Sequence, residues 1–267
     1  MSDEKIWIKK AFGVTPLRHE GDGARSRCWC ASTKDNEILL LKHVKIEDEK
    51  DERWVEQLVN EHRVANAVDH PSMRGTHSVI YHPNKKNATD VGLLLQYVDG
   101  EDLQEWQKNT KPSMDELLRV FIEVSDGLNQ MHIAGYAHAD MKPLNVLIDN
   151  RTKDPLIIDL GQACPLMTVK ERIQGTPGFM APEQAKRNAV TYLTDVFNWG
   201  ATMYFMLSGQ RVDTDKWTET RMLTNVPDRL AELIAQCLRI VPEERPNMKF
   251  VRDSLRGIRS NIDVGAI

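Results

Sequence analysis

The sequence predicts an α+β fold in two parts, a smaller strand-rich region containing one helix and a larger helical region. From about Val14 to Tyr97 the chain is strand-rich with a single helical interruption, and beyond Asp102 the apolar period is mainly helical. A chain of 267 residues also sits near the size at which one core divides into two. No internal repeat, low-complexity tract or Gly/Ser linker marks a further boundary. A formal net charge of −4 gives no electrostatic case for nucleic acid or a membrane surface as partner. No apolar run approaches the roughly 18 residues of a membrane span, and MSDEKIWIKK is too charged for a signal peptide. A cytoplasmic location is therefore expected. Cys28, Cys30, Cys164 and Cys237 form no CxxC pair, so packed, reduced thiols are expected rather than a zinc framework.

Each element has its own warrant. In Gly21 to Ala31, GDGARSRCWCA, two glycines permit close backbone approach to a phosphate, with a plain hairpin turn as the alternative. Glu37 to Val44 reads as a strand whose period of two puts Leu40, Lys42 and Val44 on one face. Asp51 to Val68 reads as an amphipathic helix with Trp54, Leu58, Ala65 and Val68 on one stripe, and Glu61 lies on that stripe. An inward Lys and an inward Glu are each expensive to bury unless they meet. Met114 to His132 reads as a long helix with Leu117, Phe121, Val124, Leu128 and Met131 facing the core. Val146 to Ile148 and Leu156 to Ile158 are apolar runs of strand length joined by the turn segment DNRTKDP. Such a hairpin brings Asn145 and Asp159 side by side, with Asp140 in the loop just before. Hard oxygen ligands so placed suit Mg²⁺ holding a phosphate group, with a spare carboxylate to orient a nucleophile.

Taken together, HADMKPLN, DLG, GTPGFMAPE, the helix segment NEHRVANAVDHP and CLRIVPEERP resemble the eukaryotic-like (Hanks-type) serine/threonine protein kinase domain, and in particular its soluble bacterial members. The resemblance implies a bilobal protein-kinase-like fold. Residues 1–267 would form a single kinase domain, with a small lobe at about 13–97, a hinge at 98–101 and a large lobe at 102–258. The first dozen residues and the last ten or so fall outside the likeness. It further implies ATP and Mg²⁺ as cofactors and protein Ser/Thr hydroxyls as acceptors. In the catalytic role it places Asp140, Lys142 and Thr176, the last favouring Ser/Thr over Tyr; Asn145 and Asp159 would hold Mg²⁺. Nucleotide contacts would come from Lys42 paired with Glu61, Gly21, Gly23, Cys28, Leu40, Leu95 as gatekeeper, the backbone of Gln96 and Val98, Asp102 near the ribose, and Leu147. Glu183 would pair with Arg245, Asp195 would cap the catalytic-loop backbone, and His138 would be a packed scaffold residue.

The departures from the family pattern carry expectations too. Leu40 stands where Ala is usual, so crowding of the adenine site and weakened ATP binding are expected, unless the neighbouring segment has moved to accommodate it. Ser26 replaces the third glycine. Ala139 replaces the Arg that normally pairs with a loop phosphate, so activity should depend little on phosphorylation at Thr168. Leu160 for Phe is a mild change. Leu144 and Phe205 occupy places that are acidic in Arg-preferring kinases, which argues against a strong basic preference in the substrate. Two other readings stand beside the active protein kinase. A pseudokinase or nucleotide-binding scaffold is motivated by Leu40, Ser26 and Ala139 and opposed by the complete set Lys42, Glu61, Asp140, Asn145 and Asp159; a small-molecule kinase is disfavoured by GTPGFMAPE.

Overall fold

The structure, a computed structural model, describes residues 2–23, 25–213, 223 and 226–264. It divides into two units, the first Met1–Ala67 with Arg74–Val98 and the second Val68–Met73 with Asp99–Ile267. Ala24, within the expected phosphate loop, lies outside the described residues, as do 214–222 within the expected large lobe.

The first unit begins with a helix, α1 (Asp3–Phe12), followed by β1 (Thr15–Asp22), β2 (Ser26–Ser32), β3 (Ile38–Lys45), α2 (Glu52–Ala67), β4 (Thr76–His82) and β5 (Asp90–Gln96). The strands form one antiparallel sheet in the order β1-β2-β3-β5-β4. Both faces of β3 are buried, which is why its sequence reads as an unbroken apolar run. Leu40 and Val44 join Leu58, Val91, Leu93 and Leu95 in one core cluster. Leu39 and Leu41 join Ile8, Phe12, Val14, Trp29, Ala31 and Leu94 in another. That second cluster brings α1, from the dozen residues outside the family likeness, into the core of this unit. α1 is capped by Ser2 at its start and by Gly13 in the left-handed conformation at its end, and it seals the outer face of the sheet. Gly92 of β5 makes this possible, because a Cβ there would stand 2.8 Å from the Phe12 ring and from Leu41. Within α2 the buried stripe is Leu58, Glu61 and Val64 rather than a stripe through Ala65. Val64 is fully buried, since spacings of three and four residues both return to the same helix face.

The second unit comprises β6 (Gly100–Asp102), α3 (Leu103–Thr110), α4 (Met114–Ile133), β7 (Tyr136–Ala137), β8 (Val146–Asp149), β9 (Pro155–Ile157), β10 (Cys164–Pro165), β11 (Thr168–Val169), α5 (Pro182–Ala185), β12 (Ala189–Val190), α6 (Tyr192–Ser208), α7 (Asp228–Cys237) and α8 (Met248–Val264). Ser113 and Glu116 close a capping box at the start of α4, and Leu117, Phe121, Val124, Leu128 and Met131 are all buried as expected. The 146–157 hairpin forms with Val146 opposite Ile157, and β6 pairs with β8 on its other side. Residues 99–101, expected as hinge, thus lie in this unit, with Gly100 and Glu101 in a strand. Residues 68–73 lie here as well, held by the Ile157 N–H donating to Ser72 O at 2.7 Å and by a bridge from Met73 to Ile157. None of the four cysteines forms a disulfide, and burial pushes the thiols of Cys30, Cys164 and Cys237 up, away from reactivity. No helix among the described residues is long and apolar enough to cross a membrane.

Candidate active site

In the first unit, β3 and α2 bring Lys42 and Glu61 together, with Nζ 2.8 Å from Oε2. Glu61 is almost completely buried and Lys42 partly so, which leaves the ammonium the more accessible partner. Removing either charge would strand the other in a low-dielectric setting. The stretch 21–31 is a hairpin between β1 and β2, not an isolated loop. Gly21 takes a φ of 145°, open to glycine and strained for other residues, and the Gly23 N–H closes the turn on Ser26 O at 2.7 Å. Half-buried Cys28 faces Lys42 across the β2–β3 ladder. Leu40 lies directly opposite Leu95 on the face that carries Lys42. The Gln96 carbonyl accepts from Arg74 Nε at 3.1 Å, while Val98 is buried at the last position of this unit.

In the second unit, the chemistry-bearing side chains converge on the loop between β7 and β8. Asp140 Oδ1 accepts the Thr176 hydroxyl at 2.8 Å, and Lys142 Nζ donates to Asp140 Oδ2 at 3.0 Å and to Thr176 Oγ1 at 2.9 Å. Asn145 donates its Nδ2 to the Asp140 carbonyl at 2.8 Å, which leaves Oδ1 as the end able to ligate a cation. The Ile158 N–H donates to Asn145 O at 3.0 Å, so the hairpin sets Asn145 beside the entrance to Asp159. Asp159 itself is left-handed, with φ 60° and ψ 62°. Asp102 and Leu147 are cross-strand partners in β6 and β8, and Asp102 Oδ1 caps α3 by accepting from Gln104 and Glu105 N–H.

The loop is held from beneath by α6. Asp195, fully buried, accepts from the N–H groups of His138 and Ala139, each at 2.8 Å, and from His132 Nε2 at 2.9 Å. Burial alone would push its carboxyl up; the hydrogen bond from His132 and the Ala139 N–H outweigh that and hold it below the usual carboxylate range. His138, also fully buried, is a scaffold residue: its Nδ1 accepts from Asp140 N–H at 3.2 Å, so its Nε2 carries the proton donated to Ile158 O. At the end of the 175–183 segment, Glu183 and Arg245 form a bidentate buried pair at 2.7 and 2.9 Å.

Several contributors were not singled out from sequence. Gln162, just after Asp159, donates to Asp140 Oδ2 at 3.3 Å. Asn198 and Thr202 lie three and seven residues beyond Asp195, so α6 presents a polar stripe to the loop, and Thr202 Oγ1 lies 3.4 Å from Met141 O. That stripe was readable as polar residues at helical spacing in an otherwise apolar helix. Gln184 is buried and reaches Ala139 O at 2.8 Å.

Among the described residues no cluster of three or more His, Cys, Asp or Glu could cage a metal ion. Asn145 and Asp159 fit Mg²⁺ in a different way, because that ion binds through one or two protein oxygens and completes its octahedron with water and phosphate oxygens.

The family model described as protein kinase domain matches residues 15–254. Serine/threonine-protein kinase PkaA of Streptomyces coelicolor is 25% identical over 275 residues, covering 92% of this chain and 50% of that protein. PkaB of the same organism is 27% identical over 247 residues, covering 84% and 58%. Myosin light chain kinase family member 4 of Homo sapiens is 31% identical over 186 residues, covering 67% and 46%. The chain spans about half the length of these curated relatives. With the family model extending from the start of β1 into α8 and the Asp140, Lys142 and Thr176 side chains drawn together within it, the chain belongs to the protein kinase domain family.

Proposed function

We propose that this chain transfers the γ-phosphoryl group of ATP to Ser or Thr hydroxyls of proteins. The observation that carries this reading is the mutual contact of Asp140, Lys142 and Thr176, because it leaves a carboxylate, an ammonium and a hydroxyl converging at one point of the loop. Asp140 orients the acceptor hydroxyl and takes its proton. The acceptor oxygen bonds to the γ phosphorus as the bond from that phosphorus to the bridging oxygen of ADP breaks. Lys142 offsets negative charge on the phosphoryl group in flight, and Lys42, placed by Glu61, holds the phosphates that are not transferred. Mg²⁺, held by Asn145 and Asp159 when bound, supplies charge neutralisation on the phosphate oxygens. Positioning and electrostatics thus contribute most of the acceleration.

Leu144 is exposed on the catalytic loop, and Phe205 packs edge-on against Phe179 with ring centroids 5.5 Å apart. Neither offers a carboxylate to a basic peptide, so acceptor proteins need no Arg near the phosphorylated residue.

Incubation with labelled ATP and Mg²⁺ beside Asp140→Asn tests the reading. The substitution should lower label incorporation into casein and into the chain itself by at least about a hundredfold, the scale of a lost general base. Wild-type incorporation equal to that of the variant would defeat the assignment and favour the nucleotide-binding scaffold.

A further inference from the structure

The peptide before Asp140 is the most constrained point of the loop. Ala139 is a non-glycine residue at φ 62°, in the left-handed region, which costs about 1–2 kcal/mol. Such a conformation persists only where its surroundings over-determine it. On the amino side, Asp195 supplies the restraint by accepting from His138 and Ala139 N–H. On the carbonyl side, it comes from Gln184, whose Nε2 donates to Ala139 O at 2.8 Å.

Gln184 uses its whole hydrogen-bonding capacity. Its Nε2 also lies 3.4 Å from Gln174 O, and its Oε1 accepts from Ala181 N–H at 2.9 Å and from Asn198 Nδ2 at 2.9 Å. Asn198 Nδ2 donates in addition to Phe179 O at 2.7 Å. One neutral side chain therefore ties together both ends of the 174–181 segment, the central helix α6 and the carbonyl next to Asp140. Only an amide offers two donors and two acceptors from one terminus to match this set of two carbonyls, an N–H and a side-chain donor. A capping role for the short helix α5 would account for the bond to Ala181 and for none of the others.

Position 139 itself offers no charge to a segment phosphate. The Ala139 methyl is buried in an apolar cluster with Ala137, Cys164 and Val190. Thr168 is anchored without a phosphate, with its hydroxyl donating to Pro165 O at 2.6 Å and its backbone in β11 paired to β12. Lys170, two residues on, donates to Gln162 O at 2.7 Å.

We propose that Gln184 is a positioning residue for phosphoryl transfer, a neutral clamp that fixes the activation segment against the Ala139 carbonyl and thereby holds Asp140 in place with no phosphate on the segment. This rests on the kinase reading above. Its test uses the full chain treated with phosphatase, Thr168→Ala, Gln184→Met and Gln184→Glu. Casein is the acceptor, kcat and KM for ATP are measured separately, thermal melting confirms folding, and hydrogen exchange is followed at residues 138–141 and 174–181. Dephosphorylated wild type and Thr168→Ala should keep kcat within about twofold. Gln184→Met and Gln184→Glu should lose kcat at least tenfold at unchanged KM for ATP, with cooperative melting retained and faster exchange confined to those two segments. Loss of activity on phosphatase treatment, or a Gln184→Met kcat within twofold of wild type, would overturn the clamp. If wild type fails to exceed Asp140→Asn, the kinase reading has failed instead; exchange then decides the clamp alone, with unchanged exchange in Gln184→Met counting against it.

Discussion

Leu40 shows how far a single residue can be read. The sequence placed it on the Lys42 face of a strand, and it lies there opposite Leu95, buried with Val44, Leu58 and Leu93. Its side chain is larger than the Ala usual in the family, which under the proposed kinase reading would crowd a bound nucleotide, but it also belongs to the core of its own unit. Leu40→Ala should therefore tighten ATP binding several-fold and lower stability by about 2–3 kcal/mol, the low end for a buried Leu truncation. Nucleotide titration and urea unfolding separate the two effects, and an unchanged ATP Kd would remove the crowding idea. Asp140, Lys142, Asn145, Asp159 and Thr176 were singled out because they lie in short motifs that resemble those of a family, and the structure brings Asp140, Lys142 and Thr176 into contact. Gln184 was not, although it directly follows Glu183. Its partner Ala139 is 45 residues away, and nothing in an isolated Gln tells which carbonyl it will meet.

Among the elements that were not read from sequence, α1 has the clearest signals. Its high charge disguised it, since only Trp7, Ile8, Ala11 and Phe12 pack against the sheet while Ile6 stays exposed. The signs were there in the caps Ser2 and Gly13, in Asp3 and Glu4 of the first turn, and in Lys9 and Lys10 of the last. Phe12→Ala should destabilise the chain by about 3–5 kcal/mol, the range for a buried aromatic truncation, measured as a lower urea midpoint at unchanged slope. A loss under 1 kcal/mol would show that α1 rests on the sheet without contributing to its core. The predicted strand at 37–44, the helix at 51–68 and the helix at 114–132 each match the observed elements to within a residue or two at their ends. Strong apolar periodicity fixes an element's existence and face, while its ends depend on caps.

For the whole molecule, stability against pH is set in part by one buried histidine. His43 packs against the Trp7 and Phe12 rings and lies 3.0 Å from Asp90 Oδ1. Burial lowers its pKa and wins over the raising effects of Asp90 and of the Glu4 charge, with Arg27 adding to the lowering. The folded chain then binds fewer protons than the unfolded chain below the ordinary histidine value of 6.5. Stability is fully present above that value and is lost as pH falls through the lower folded value. The melting temperature of wild type should drop more between about pH 7 and pH 5 than that of His43→Gln, which cannot titrate; parallel curves would exclude His43 as the cause. From sequence came the α+β class, which follows from local apolar period, and the pairing of Lys42 with Glu61, which follows from the cost of burying a lone charge; the kinase motifs came from their resemblance to a family. Tertiary packing, by contrast, was needed to show that α1 seals the sheet, that Gln162 also reaches the Asp140 carboxylate, and that Gln184 meets the Ala139 carbonyl. Those contacts join residues far apart in the chain, and packing, not spacing, chooses their partners.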